Sequence, residues 1–262
     1  MSVPKPNGEF EWVQESWGMA LRCRPLATTA HHYFSTRDLV LEGVGTDNAA
    51  GWQQLATALG VGLGSLVRMR QVHGAAVFDK GSDPRFLCAS SSDWPEADVA
   101  VTGEQDVAVS VRAADCVPIL LSDRKTGAVS AVHAGWQGTA EGAAMAAIRA
   151  MTSRYGTNPR DVIAAVGPSI GPCCYEVGQE LAGRFAAHPE ASTWFIGDAK
   201  PHLDLWRATR DQLARAGVPP QQINVCALCT FDHPALFHSY RRDGAKAWRL
   251  VAAIRSGPDK TL

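Results

Sequence analysis

The chain has 262 residues, 46% hydrophobic and 19% charged, with 25 Lys and Arg against 26 Asp and Glu for a formal charge of −1. That apolar share can fill a core, which excludes a disordered or collagen-like chain. The near-zero charge removes the electrostatic basis for binding nucleic acid or an anionic membrane surface.

Residues 1–24 are polar and dotted with Trp, which predicts an N-terminal extension or edge strand ahead of a single domain over 25–262. The first eleven residues have no apolar stretch behind a basic start, so the expectation is no signal peptide and a cytoplasmic location. Residues 50–59 set apolar side chains at helical spacing and stop at Gly60. Residues 66–72 read as a strand running into His73-Gly74, and 82–95, rich in Ser, Asp and Pro, as an irregular loop. Residues 106–111 alternate apolar and polar, and 117–121 form a continuous apolar run, far short of the ~20 residues that span a bilayer. A further strand over 128–132 follows the turn sequence 123–127. An alanine-rich helix is predicted over 138–151, a buried strand over 162–166 and a Gly/Pro loop over 167–172. An amphipathic helix over 205–216 stops at Gly217, and strands are predicted over 223–228 and 248–254. Strand–turn–strand pairs are frequent, so the expected fold class is α+β with mixed sheets and not a doubly wound parallel sheet.

Seven cysteines is an odd number in a chain long enough to fold without disulfide staples, which points to reduced thiols. Three segments place a polar residue at a strand end beside small neighbours: Gln71-Val72-His73-Gly74, Ala114-Asp115-Cys116-Val117-Pro118 and the run from Val132 to Thr139 containing His133. Antiparallel pairing of 117–121 with 128–132 across the 123–127 turn would bring Cys116 near His133. His73 has to join them from a separate strand, which periodicity does not decide. Two imidazoles and one thiolate make a borderline-soft ligand set suited to zinc or copper. Three protein ligands leave zinc an open fourth position, the catalytic arrangement, where a bound water ionises near neutral pH. The competing reading is three packed core side chains. Cys226-x-x-Cys229 and Cys173-Cys174 read as packing thiols, and the pair His31-His32 as turning one imidazole inward.

The segments QVHG, ADCVPILL, VHAGWQGT, VGPSIGPCCYEVG and SYRRDG occur in this order between about residues 31 and 244. In them the chain resembles the YfiH family, also known as polyphenol oxidase or laccase-domain proteins, as multifunctional purine nucleoside enzymes and in connection with peptidoglycan editing. The resemblance implies a layered α-β-β-α sandwich, shared with toxins of the cytotoxic necrotizing factor type. It implies phosphorolysis of adenosine, inosine, guanosine and methylthioadenosine, and deamination of adenosine. It places metal ligands at His73, Cys116 and His133, and makes zinc the expected cofactor with copper as the alternative. Purine nucleosides and phosphate are the expected partners. Arg37 and Arg241, which lie in the matched motifs, are candidates for phosphate and ribose, Gln71, Trp136 and Tyr175 for other substrate contacts. Asp115 beside Cys116 is a candidate acid or orienting residue. The N–H groups opening the helix after Gly135 are a weaker anion candidate. Two segments depart from the family pattern: Asp38-Leu39-Val40-Leu41-Glu42 replaces a glycine-rich stretch, and Ala245-Lys246-Ala247-Trp248 replaces Thr-Gly-Arg.

Two other enzyme readings compete. One is a metal-free cysteine hydrolase or amidase acting on peptidoglycan precursors, with His133 activating Cys116 and His73 orienting it. The other is weak copper-dependent phenol oxidation. A full multicopper centre needs paired His-x-His motifs, and the eight histidines include none. A non-catalytic partner protein on the same fold is the last alternative.

Overall fold

The chain enters its first sheet through an antiparallel hairpin of β1 (Phe10–Glu15) and β2 (Gly18–Cys23), which aligns Phe10 with Cys23 and Glu15 with Gly18. The computed structural model describes residues 3–43, 46–47, 49–82 and 94–258. Further strands are β3 (Ala30–Ser35), β4 (Leu66–Val67), β5 (Val77–Asp79), β6 (Val99–Thr102), β7 (Ala108–Ala113) and β8 (Val117–Asp123). They are followed by β9 (Val129–Ala134), β10 (Val162–Val166), β11 (Ile223–Val225) and β12 (Leu250–Ser256). One six-stranded sheet runs β1-β2-β3-β12-β7-β4 and the other β11-β10-β8-β9-β6-β5. Each sheet is mixed, because β4 joins β7, β5 joins β6 and β11 joins β10 in parallel.

Alternation along the strands explains the layering. In β12, Leu250, Ala252 and Ile254 point into a core shared with Leu120, Val129, Ala131 and Ala165 of the second sheet. Val251 and Ala253 point the other way, onto Trp52, Leu55 and Ala56 of helix α1 (Ala49–Ala58). The second sheet repeats the pattern: Val117, Ile119 and Leu121 of β8 pack on Ala143, Ala147 and Met151 of one helix and Leu205, Ala208 and Leu213 of another. The order is therefore helix, sheet, sheet, helix, an α+β sandwich whose central strands are buried on both faces. Each fully buried large side chain of these cores stabilises the fold by roughly 1.5–3 kcal/mol.

Several element ends differ from the sequence reading for local reasons. The predicted helix over 138–151 is two helices, α2 (Trp136–Glu141) and α3 (Ala143–Tyr155), divided at Gly142. That glycine sits at φ +79° and its N–H caps the carbonyls of Gly138 and Thr139. The predicted strand over 66–72 stops at Val67; beyond it the Gln71 side chain replaces the ladder by bonding both the N–H and the carbonyl of Arg112, at 2.8 and 2.7 Å. The strand over 223–228 ends at Val225, ahead of Ala227 at φ +56°. Of the loop predicted over 82–95, residues 83–93 lie outside the described residues. Helix α4 (Leu205–Arg215) keeps its expected span to within a residue and carries an Asp204 N-cap. No helix among the described residues is long and apolar enough to cross a membrane.

Both imidazoles of His31-His32 are buried. His32 Nε2 accepts the N–H of Cys23 at 2.9 Å while Nδ1 donates to the Ala30 carbonyl at 3.1 Å, which fixes the neutral tautomer. Burial accordingly pushes its pKa from 6.5 down to about 3. Between those values the unfolded chain binds a proton that the folded chain refuses, so stability falls as pH drops below about 6.5. Urea unfolding should show a lower midpoint at pH 5 than at pH 7, and His32→Gln should flatten that dependence; equal midpoints for the unmutated chain at both pH values would contradict it.

Candidate metal centre

The pairing of β8 with β9 sets Val117 opposite Ala134 and Pro118 opposite His133. Continued by one residue, that register puts Cys116 against Gly135. The neighbouring pair β9 and β6 aligns Val132 with Val99, so His133 faces Asp98, whose carbonyl accepts the His133 N–H at 2.8 Å. The start of β8, the end of β9 and the start of β6 thus share one end of the second sheet. The loop 71–74 closes over that end.

Ligand atoms of His73, Cys116 and His133 lie within 4.8 Å of one another. The His73 and His133 rings meet edge to face with centroids 5.0 Å apart. His133 is buried, Cys116 half-buried and His73 exposed, so the cluster opens toward solvent on the His73 side. Gly135 permits this packing: a Cβ there would stand 2.7 Å from Cys116 Sγ. Gly138 serves the same end, since its Cβ would come within 2.9 Å of the Gly74 carbonyl oxygen. The helix opening there has only six residues, and its glycines are explained by these close approaches rather than by an anion.

Asp98 was missed in the sequence, and it organises the cluster. Its fully buried carboxylate accepts the N–H groups of Val72, His73 and Gly74 at 3.1, 3.0 and 2.8 Å, and faces His133 Nδ1 at 2.8 Å. Three consecutive N–H groups converge on one anion because His73 adopts a left-handed backbone, φ +65°. That conformation costs a non-glycine residue about 1–3 kcal/mol. Hydrogen bonds to a charged acceptor return about 1.5–3 kcal/mol each, so the cradle outweighs the strain. Burial raises the pKa of Asp98, but the His133 imidazole and the loop N–H groups reverse this and hold it below the ordinary carboxylate value. The available signal in the sequence was an acidic residue heading the apolar run of β6.

The electrostatics of the three side chains are coupled. Burial pushes the Cys116 thiol up, yet the positive charge and hydrogen bonds of His133 and His73 outweigh it and bring the pKa down to about 6. Burial opposes charge on His133, but the Cys116 thiolate and Asp98 raise it to about 9. A thiolate beside imidazoles is the form in which a divalent ion is bound. Two nitrogens and one sulfur, open on one side, fit zinc or copper by donor chemistry.

The other sequence-derived candidates divide into three groups. Trp136, Tyr175 and Arg241 line one cavity of about 540 Å³, together with Glu176 and Lys200. The Arg241 guanidinium lies 5.1 Å from the Tyr175 ring centroid and donates to the Glu176 carbonyl. Burial and the nearby Cys116 charge push the Tyr175 phenol up to about 12. Trp136 directly follows Gly135, which packs against Cys116 Sγ, so this cavity adjoins the cluster. Arg37 lies apart, lining a second cavity of about 590 Å³ with His238, Arg242, Lys246 and Trp248. Lys246 and Trp248, from the second of the two segments that depart from the family pattern, face that second cavity. Gln71 and Asp115 have their polar atoms engaged within the protein. Gln71 holds Arg112, and the Asp115 carboxylate accepts Thr230 Oγ1 at 2.6 Å, Ser239 Oγ at 3.0 Å and the Arg241 N–H at 2.6 Å. Asp115 thereby anchors the segments carrying Thr230 and Arg241 next to Cys116.

A two-sheet sandwich with a His₂Cys cluster at one sheet end defines a class of protein, and comparison with known sequences assigns its family. Residues 46–256 match the family described as multi-copper polyphenol oxidoreductase laccase, and the chain belongs to it. It is 37% identical over 177 residues to a purine nucleoside phosphorylase of Bacteroides thetaiotaomicron, a match covering 64% of this chain and 66% of that one. It is 36% identical over 208 residues to an adenosine deaminase of an unknown prokaryotic organism, covering 76% and 78%. The structure of YlmD from Geobacillus stearothermophilus superimposes with a TM-score of 0.81 at 31% identity, covering 94% of this chain and 98% of that one. The chain spans 44–66% of the length of three curated relatives it matches.

Asp98→Asn keeps the shape of the side chain but removes the charge that aligns His133 and the 72–74 loop. Its zinc affinity, measured by competition with a chromogenic chelator, should fall about 10–100-fold, the usual cost of losing an outer partner of a metal ligand. Unchanged affinity would show that Asp98 does not set the ligand geometry.

Proposed function

We propose that the chain is a zinc-dependent purine nucleoside enzyme that phosphorolyses adenosine, inosine, guanosine and methylthioadenosine and deaminates adenosine. The observation that carries this reading is the His73–Cys116–His133 cluster beside a cavity walled by Trp136, Tyr175 and Arg241. His73, Cys116 and His133 would hold the ion. When bound, zinc supplies a Lewis acid, with copper as the alternative occupant.

The chain's own residues supply binding and orientation. Trp136 and Tyr175 offer aromatic surface for a purine, and the cavity volume lies within the range of small-molecule sites. Arg241 supplies a fixed positive charge for phosphate and hydrogen-bond donors for the ribose hydroxyls. Its position is set from two sides, by its N–H on Asp115 and by its guanidinium on Tyr175 and the Glu176 carbonyl. Tyr175 keeps its proton at neutral pH and so acts as a hydrogen-bond donor in the cavity. Asp98 holds His133 in one tautomer and orientation.

A second reading has its own observation. Cys116, His133 and Asp98 form a nucleophile, base and orienting carboxylate in sequence, which supports a metal-free thiol hydrolase or amidase such as one acting on a peptidoglycan precursor. Incubation with adenosine and phosphate should release adenine and ribose 1-phosphate, and adenosine without phosphate should give inosine and ammonia. Cys116→Ala should lower both rates by more than the ~100-fold cost of losing an outer ligand partner. Activity abolished by chelation and restored by zinc supports the nucleoside reading. Activity that survives chelation but is lost on thiol alkylation supports the hydrolase, and unchanged nucleoside turnover in Cys116→Ala overturns the first reading.

A further inference from the structure

A second cluster of soft ligands stands apart from the first. Cys173, Cys174, Cys229 and Asp232 come from segments more than fifty residues apart in sequence, yet their sulfur and carboxylate atoms lie within 4.8 Å of one another. Cys174 Sγ is 3.4 Å from Cys173 Sγ and 3.0 Å from Asp232 Oδ1, and Cys173 Sγ is 3.2 Å from Asp232 Oδ2. Backbone pairing fixes the two segments side by side: Ser169 bridges Cys229, and the Thr230 N–H donates to the Ser169 carbonyl at 3.0 Å. Cys226, the other half of the Cys-x-x-Cys pattern, is not a member of the cluster.

We propose that Cys173, Cys174, Cys229 and Asp232 bind a structural zinc ion that locks the loop forming one wall of the substrate cavity. Three sulfurs and one carboxylate oxygen are a borderline-soft set that favours zinc over magnesium or calcium. Four protein ligands close a tetrahedron, the arrangement of structural sites, unlike the open three-ligand cluster. A zinc–sulfur bond of about 2.3 Å implies sulfur–sulfur edges near 3.8 Å, so the 3.4 Å Cys173–Cys174 separation has to open by only a few tenths of an ångström. Binding exchanges three S–H protons, released to solvent, for one dication held by three thiolates and the Asp232 carboxylate. The Gly171 N–H donates to Cys229 Sγ at 3.3 Å, an outer hydrogen bond suited to a metal-bound thiolate.

The consequence for the cavity follows from chain continuity. Tyr175 and Glu176 come directly after Cys174 and line the cavity. Thr230 comes directly after Cys229 and bonds Asp115. One ion at this point would tie the aromatic wall of the cavity to the anchor behind Cys116.

The test uses the full chain with Cys116→Ala, which removes the thiolate of the first cluster, loaded with cobalt as a spectroscopic substitute for zinc. One tightly held cobalt per chain is expected, with the thiolate charge-transfer absorption of a tetrahedral three-sulfur site. Adding Cys173→Ser, at an exposed position, should reduce that absorption by about a third. Adding Asp232→Asn should keep the sulfur bands but speed loss of cobalt to a chelator. In the chain without Cys116→Ala, Cys173→Ser should speed the loss of one of two zinc ions per chain to a chelator, which keeps the test independent of how Cys116→Ala folds. No retained metal in the Cys116→Ala protein, or bands indifferent to Cys173→Ser, overturns the proposal. So does a disulfide between Cys173 and Cys174, or Cys174 and Cys229, found by intact mass in freshly purified protein.

Discussion

The Asp98 carboxylate is buried at the head of β6, where it meets His133 Nδ1 and three consecutive N–H groups of the 72–74 loop. An isolated carboxylate in that position would be strongly disfavoured, and four hydrogen-bonding partners make it tolerable. The anion in turn fixes two things that the sheet alone leaves free: the orientation of the His133 ring and the path of the loop that delivers His73. Cys116 needs no such help, because hairpin register already sets it against Gly135. One charge therefore converts a sheet end bearing two candidate ligands into a cluster of three.

The sandwich supplies the rigidity that this arrangement requires. Strands β6, β8 and β9 are buried on both faces, between the opposite sheet and helices α3 and α4. Their ends hold position, while Tyr175 and Arg241, which line the cavity, come from segments outside the strands. Asp115 joins the two regimes, with a left-handed backbone at φ +83° next to Cys116 and a carboxylate that gathers Thr230, Ser239 and the Arg241 N–H. Two of the three non-glycine residues with positive φ among the described residues, His73 and Asp115, thus belong to the site or adjoin it.

How much was legible in the sequence depended on whether the signal was local. The hairpin of β8 and β9 was, because an apolar run, a turn and a second apolar run fix its register and with it the approach of Cys116 to His133. Strand β10 and helix α4 were legible for the same reason. The arrival of His73 was not, since it depends on a hydrogen-bonded loop rather than on a strand. Asp98 was hidden because its role lies in partners 24 to 35 residues away, which no periodicity reports. In sequence the Cys173, Cys174 and Cys229 thiols look like packing residues, because the pairs are unrelated until the 169 and 229 segments lie side by side. Arg37 and Arg241 shared a motif-based expectation, and the fold sends them to different cavities.

The family's description speaks of multiple coppers, whereas the donor sets gathered among the described residues are one His₂Cys cluster and one Cys₃Asp cluster. Neither resembles the histidine-rich assembly of a multicopper oxidase. The most direct measurement is a crystal structure with inosine bound, using anomalous scattering collected on both sides of the zinc edge. The predicted result is a zinc peak held by His73, Cys116 and His133, with the purine against Tyr175 and Trp136. A chain that turns over nucleosides with no metal peak among those three residues, or with the purine seated in the Arg37 cavity, would contradict it.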